Sequence, residues 1–228
     1  MPKHLIYLPK RNPNLSIDEF VSAWKEHSQL GKTCINVRKF ITHAKQCARI
    51  GYPDLEGISQ IYDGVAILTL SEGTQSSQIW DDPEVLAIMK PDELRVFDSY
   101  VKSFTLETTS LYSKLDTDRS YEYGLIQLLS IGDASTKGHR DQELCDLFRE
   151  QENRNPQPFV KQEIVHAVTH QPSDQYNYDY VIETWFDSKE DAIAYADKKN
   201  LSVSNILTER FSVKKVIRLL LTVTHSRT

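Results

Sequence analysis

Apolar and polar positions alternate along this chain in two rhythms. His4–Pro9, Phe40–Ile50, Val65–Leu70 and Val101–Leu111 are short stretches rich in apolar and β-branched residues, and they predict strands. Between the first two, Ile17, Phe20, Val21 and Trp24 recur at spacings of three and four, the stripe of a core-facing helix. Ser16-Ile17-Asp18-Glu19 stands before that stripe as a capping box, in which the Ser16 and Glu19 side chains satisfy each other's free amides. Gly31 is a natural stop. A longer helical region covers Ser76–Phe97, interrupted by Pro83 and Pro91. The order is strand, helix, strand, strand, helix, strand.

The second half runs through the same order. Tyr121–Ile131, Phe159–His170, Tyr178–Phe186 and Val213–Thr224 predict strands. His139–Glu152, with Leu144, Leu147 and Phe148 at helical spacing, and Lys189–Lys198 predict helices. Phe20 and Trp24 align with Leu144 and Phe148, Tyr62-Asp63 with Tyr178-Asp179, and Ile41-Thr42-His43-Ala44 with Ile164-Val165-His166-Ala167. The common order of these matches implies a duplication.

A βαββαβ unit is the ferredoxin-like plan, an antiparallel sheet with helices on one face. Strands such as Tyr180-Val181-Ile182 and Ile217–Leu221 are apolar on both sides, so the other face needs a cover. The expected fold class is α+β: two tandem ferredoxin-like domains, 1–112 and 121–228, packed sheet to sheet as an intramolecular α/β barrel. Ser113–Ser120 is the expected polar link.

Composition narrows the function classes. The 228 residues suit two domains, and an apolar share of 39% can fill real cores. No apolar run has the length of a membrane span, and Leu5–Leu8 is too short for a signal-peptide core, so a cytoplasmic protein is expected. Cys34, Cys47 and Cys145 form neither a disulfide framework nor a CxxC motif. The net charge of -5 comes from mixed acids and bases, with no basic stripe for nucleic acid. His166 and His170 are too far apart along a strand to chelate one ion, so no metal is expected. Phosphate loops, nucleophile elbows and nucleotide fingerprints are absent.

One ordered set of residues resembles a known family. Tyr7, Arg11, Leu15-Ser16-Ile17-Asp18-Glu19-Phe20, Trp24 and His27 are followed by Tyr62-Asp63-Gly64, Pro91-Asp92-Glu93 and Phe97-Asp98. This set, over roughly residues 1–110, is similar to the EthD branch of the dimeric α/β-barrel superfamily. The second half keeps the layout but lacks Trp-x-x-His. The resemblance implies decarboxylases and dehydratases acting on aromatic polyketides, and more distantly cyclases, isomerases and cofactor-free monooxygenases. Most such proteins work without metal or organic cofactor.

Several residues are candidates for chemistry. His27 follows Trp24 on the apolar stripe, where an imidazole is costly to bury without a partner and titrates near neutrality. It is either a general acid or base or a helix-end cap. Gln151 stands at the matching place in the second half, so the first half is expected to be catalytic and the second mainly scaffold. His43 is the candidate catalytic partner, or a structural residue shared with His166. Asp63 is either a turn residue or the group that orients His27 or Arg11. Tyr7, Tyr62 and Tyr100 can donate to a substrate carbonyl. Arg11 can hold a carboxylate, and Trp24, Trp80 and Phe97 can wall a pocket.

The leading expectation is a cofactor-independent lyase or isomerase acting on a small aromatic or polyketide-like molecule. One alternative is a cofactor-free monooxygenase on a phenol or anthrone. Another is a non-catalytic carrier or haem binder, with His27 or His43 as axial ligand. The expected partner is a small-molecule substrate, with neither nucleic acid nor membrane, and the fused chain can still form a homodimer.

Overall fold

The computed structural model describes residues 2–51, 55–115, 121–131, 137–154, 156–197, 207 and 210–227. Helix α1 (Ile17–Leu30) starts where the capping box puts it: Ser16 Oγ accepts the Glu19 amide, and Glu19 Oε2 accepts the Ser16 amide at 2.8 Å. The apolar stripe buries Phe20 and Trp24 against the first half of the sheet. That half comprises β1 (Lys3–Tyr7), β2 (Ile41–Arg49), β3 (Gly64–Leu70) and β4 (Thr105–Leu115), with the short helix α2 (Ile35–Phe40) before β2. The second half comprises β5 (Tyr123–Ile131), α5 (Lys137–Arg154), β6 (Gln162–His170), β7 (Tyr180–Phe186), α6 (Lys189–Asp197) and β8 (Val213–Arg227). Leu144, Leu147 and Phe148 of α5 are buried as their spacing predicts.

The elements depart from expectation most at three places in the first half. The region Ser76–Phe97 divides into α3 (Ser77–Trp80), a π-helical turn (Val85–Met89) and α4 (Lys90–Val96). Pro91 has no amide to give to a carbonyl one turn back, and the wider turn just before it closes with the Lys90 amide on Val85 O. Val101–Phe104 is a 3₁₀ turn rather than strand, because Glu93 Oε2 takes the Val101 amide at 2.8 Å. β4 then runs on to Leu115, past the expected start of the link, and residues 116–120 lie outside the described residues.

The eight strands close into one antiparallel barrel, in the order β1-β3-β2-β8-β5-β7-β6-β4. Each half has the ferredoxin-like order: β4-β1-β3-β2 in the first and β8-β5-β7-β6 in the second. The sheets face each other across a shared core and also join edge to edge, β2 to β8 and β4 to β6. Among the described strands no edge is left to pair elsewhere. Inward-facing Ile6, Val65, Leu106, Ile126, Val181 and Leu219 form a core drawn from both halves. Tyr62 and Tyr178, matching residues of the repeat, hydrogen bond to each other through their hydroxyls at 2.9 Å inside it.

A polar seam crosses this interior. His4 Nε2 meets Ser110 Oγ at 2.8 Å, and His166 Nε2 meets Glu183 Oε1 at 2.6 Å. Trp185 Nε1 donates to Glu183 Oε2 at 2.8 Å, and Lys45 Nζ lies 3.7 Å from the Trp185 ring centroid.

The ladders correct one internal alignment. Counted from Tyr62 and Tyr178, Val65 answers to Val181, and their cross-strand partners are Cys47 and His166. His166 therefore matches Cys47, not His43. The slip is four residues, which leaves every side chain on its own face, so an apolar β pattern alone does not prevent it.

Candidate functional site

The layer between α1, α4 and the outer face of the first half-sheet is not fully packed. It holds a cavity of about 110 Å³, walled by Tyr7, Trp24, Ile79, Trp80, Met89 and Phe97 among others. Its aromatic residues meet in pairs: Phe97 lies 5.8 Å from Trp24 between ring centroids, and Tyr7 lies 6.3 Å from Trp80. Gly64 sets the floor position of Trp24. A Cβ there would stand 2.6 Å from the indole and 2.5 Å from Cys47 O, so close approach, not backbone conformation, requires glycine.

His27 lines this cavity and is 5% exposed, so the ring is turned inward rather than to bulk water. Its Nδ1 lies 2.9 Å from Asp92 Oδ2, and its ring stands nearly perpendicular to that of Phe97, with centroids 5.5 Å apart. Burial lowers the imidazole below its ordinary range, and the Asp92 carboxylate acts against that shift. Asp92 is held low chiefly by Arg95, whose Nε donates to Oδ1 at 2.6 Å, and also by His27. The chain Arg95–Asp92–His27 fixes the tautomer: Nδ1–H donates to Asp92, and Nε2 carries the free lone pair. Nε2 has no hydrogen-bond partner among the described residues.

A second acid lines the same space. Glu93 is 6% exposed and its carboxyl is raised by burial, although the Val101 amide opposes this. The Tyr7 phenol is raised by burial and by the Glu93 charge, so Tyr7 is a hydrogen-bond donor rather than a base. The π turn ahead of Pro91 carries an extra residue, which turns the following register by about 100°. Asp92 then reaches His27 while its neighbour Glu93 lies in the interior.

Of the residues expected from sequence, His27, Tyr7, Trp24, Trp80 and Phe97 come together here. Five do not. His43 sits exposed at the barrel rim, where its ring Nδ1 meets Thr42 Oγ1 at 3.1 Å. Asp63 ties down the turn after β1: it accepts the Arg11 amide at 2.9 Å, pairs with the Arg11 guanidinium and takes Arg49 Nη2 at 3.1 Å. Asp179 repeats this turn in the second half by accepting the Ile131 amide at 2.6 Å. Asp63 and Arg11 are therefore a structural pair outside the cavity. Tyr62 is inside the barrel, and Tyr100 is 42% exposed with Lys90 over its ring.

Sequence reasoning missed Ser28, Gln46, Glu93, His225 and Arg227, all of which line the cavity. Glu93 was visible only as part of an acidic pair. His225 and Arg227 come from β8 of the second half, and their orientation depends on a bulge. Val223 pairs with Cys47 and His225 with Gln46, leaving Thr224 as the extra residue. Strict alternation would send His225 into the barrel with Ile217, Leu219, Leu221 and Val223. The bulge turns it and Arg227 to the cavity face instead.

No protein-family model and no curated protein matches the chain. Solved structures do. An anthrone oxidase-like protein is 12% identical, with 99% of this chain and 92% of that one covered, at a TM-score of 0.68. A protein provisionally assigned as a monooxygenase, from Fusobacterium nucleatum subsp. nucleatum, is 7% identical over 100% of this chain and 94% of that one, at a TM-score of 0.62. A chlorite dismutase variant from Candidatus Nitrospira defluvii is 13% identical over 97% and 90%, at a TM-score of 0.55. At these identities the likeness establishes the fold, the dimeric α/β barrel, built here from one chain. No described helix is long and apolar enough to cross a membrane.

Proposed function

We propose that the chain is a cofactor-independent, EthD-like enzyme in which His27 moves a proton on a small oxygenated aromatic or polyketide-like substrate. The observation that carries this is a buried imidazole, oriented by Asp92 and facing an aromatic-walled cavity. Nε2 takes a proton from an acidic C–H or O–H conjugated with a carbonyl, and the electron pair moves onto the carbonyl oxygen. Tyr7 donates a hydrogen bond to that oxygen. The imidazolium returns that proton at another atom as the electron pair comes back from the carbonyl oxygen, which completes an isomerisation. In a decarboxylase the same proton goes to the carbon that loses carbon dioxide. The domain assignment follows: the first half carries the chemistry, within 1–112.

His27→Ala should lower turnover by about 10²–10⁴-fold, the range a positioned acid or base contributes, with an unchanged far-UV circular dichroism spectrum. The assay is product formation and solvent deuterium incorporation across a panel of hydroxylated aromatic acids and hydroxyanthrones. A folded variant with wild-type turnover rejects the mechanism. The likeness to the anthrone oxidase-like protein favours a second reading, in which the substrate anion reacts with dioxygen. Oxygen uptake matching product formation selects that reading.

A further inference from the structure

Gln46 is 4% exposed and lines the cavity, yet its Nε2 is buried with no acceptor among the described residues. Its Oε1 already takes the Ser28 hydroxyl at 2.5 Å. Reversing the amide does not remove the surplus, since Nε2 would then give one proton to Ser28 and leave the other, with the Ser28 hydroxyl proton also free. Either way the cavity wall holds a hydrogen-bond donor that no described residue accepts. A buried donor in this state is completed by an oxygen of whatever fills the space.

The mouth of the same cavity is positive. The charged groups that bear on His225 are Lys32, Lys25 and Arg227. Arg227 lines the cavity and has no ion pair among the described residues. The β8 bulge aims both His225 and Arg227 there, beside Gln46 and Ala44 on β2.

We propose that the ligand is an anionic aromatic acid, with Gln46 donating to an inner oxygen and Arg227 pairing with its carboxylate at the mouth. This rests on the cavity being the substrate site. It gives the second half a direct part in recognition, beyond the scaffold role expected from its lost histidine. A guanidinium matches a carboxylate with two parallel hydrogen bonds, a pairing that a neutral phenol cannot form.

The test uses the purified full-length chain and two probes, 2,4-dihydroxybenzoate and resorcinol, followed by tryptophan fluorescence, since Trp24 and Trp80 line the cavity. The acid should bind at least about tenfold more tightly than resorcinol, and added salt should weaken only the acid. Arg227→Leu should abolish the preference, and Arg227→Lys should restore part of it. Gln46→Leu should weaken both probes by about tenfold. If Gln46→Leu does not fold, the two Arg227 variants decide. Equal affinity of wild type for the two probes, no binding of the acid, or an acid affinity unmoved by Arg227→Leu overturns the assignment. Turnover by the wild type is followed on the same protein preparation. Intact binding with no turnover on any substrate would thus reject the catalytic reading while supporting this one.

Discussion

His4 should make the barrel acid-labile, and its share can be worked out. The ring is 8% exposed in the shared core, between Ser110 and Thr69, and its centroid lies 4.8 Å from that of His166. Burial, then the charge of His166, lowers it from 6.5 to about 4, while Glu183 acts the other way. In the unfolded chain it returns to 6.5. The unfolded state therefore binds more protons between these values, and stability falls as pH falls through that window. Integrated from neutrality to pH 4, the two values give about 3 kcal/mol, a large part of the roughly 5–15 kcal/mol that holds a domain folded. Other groups shift on folding as well: His27, Glu183 and Asp92 are lowered, and burial raises Glu163 to about 7. The measurement is therefore a difference. Urea unfolding followed by circular dichroism at pH 7, 5.5 and 4 is compared between wild type and His4→Gln, whose amide keeps a donor and an acceptor but cannot take a proton. Wild type should lose about 3 kcal/mol more than the variant between pH 7 and pH 4. Parallel stability curves would refute the reasoning, because they would mean that His4 charges as readily folded as unfolded.

Two further predictions concern the site. Asp92→Asn removes the carboxylate that opposes the burial-driven lowering of His27, so the acidic limb of kcat/KM should move to lower pH. The rate at neutral pH should fall by between about 10- and 100-fold, part of what a positioned base contributes, and a pH–rate profile with the wild-type acidic limb contradicts the pairing. Gly64→Ala drives a methyl into the Trp24 indole and Cys47 O, and should cost about 1–3 kcal/mol in urea unfolding while crowding Trp24 toward the cavity. A change within about 0.5 kcal/mol would mean that the floor of the site is not packed as described.

Much of the fold was legible because it is written in local periods. The capping box, the Phe20–Trp24 stripe and the doubled strand–helix order each reflect contacts a few residues apart. Strands apolar on both faces carried the further message that the sheet must be covered twice, and the closed barrel is that cover. Half of the site followed as well. His27 broke an apolar stripe, and a polar group at such a position signals a partner or a task; Asp92 is the partner.

The rest depended on the third dimension. Asp63 and Arg11 have the residue types of a site, but their ladder positions make them the fastening of a turn, repeated at Asp179. His43 has the right chemistry at the wrong end of its strand. Even-numbered slips preserve the facial pattern, and only cross-strand register tells Cys47 and His43 apart as counterparts of His166. Gln46, His225 and Arg227 carry no local signal at all, and Glu93 only that of an acidic pair. They meet because the β2–β8 seam closes the barrel, because a bulge at Thr224 reverses the facing of the last residues of β8, and because a π turn at Pro91 rotates α4. Sequence by itself thus determined the elements, the repeat and the imidazole in the apolar layer, since hydrophobic period and capping act within a few residues. Tertiary structure alone decided what surrounds that imidazole, because the two halves reach one cavity through strand pairing that is nearly the whole chain apart.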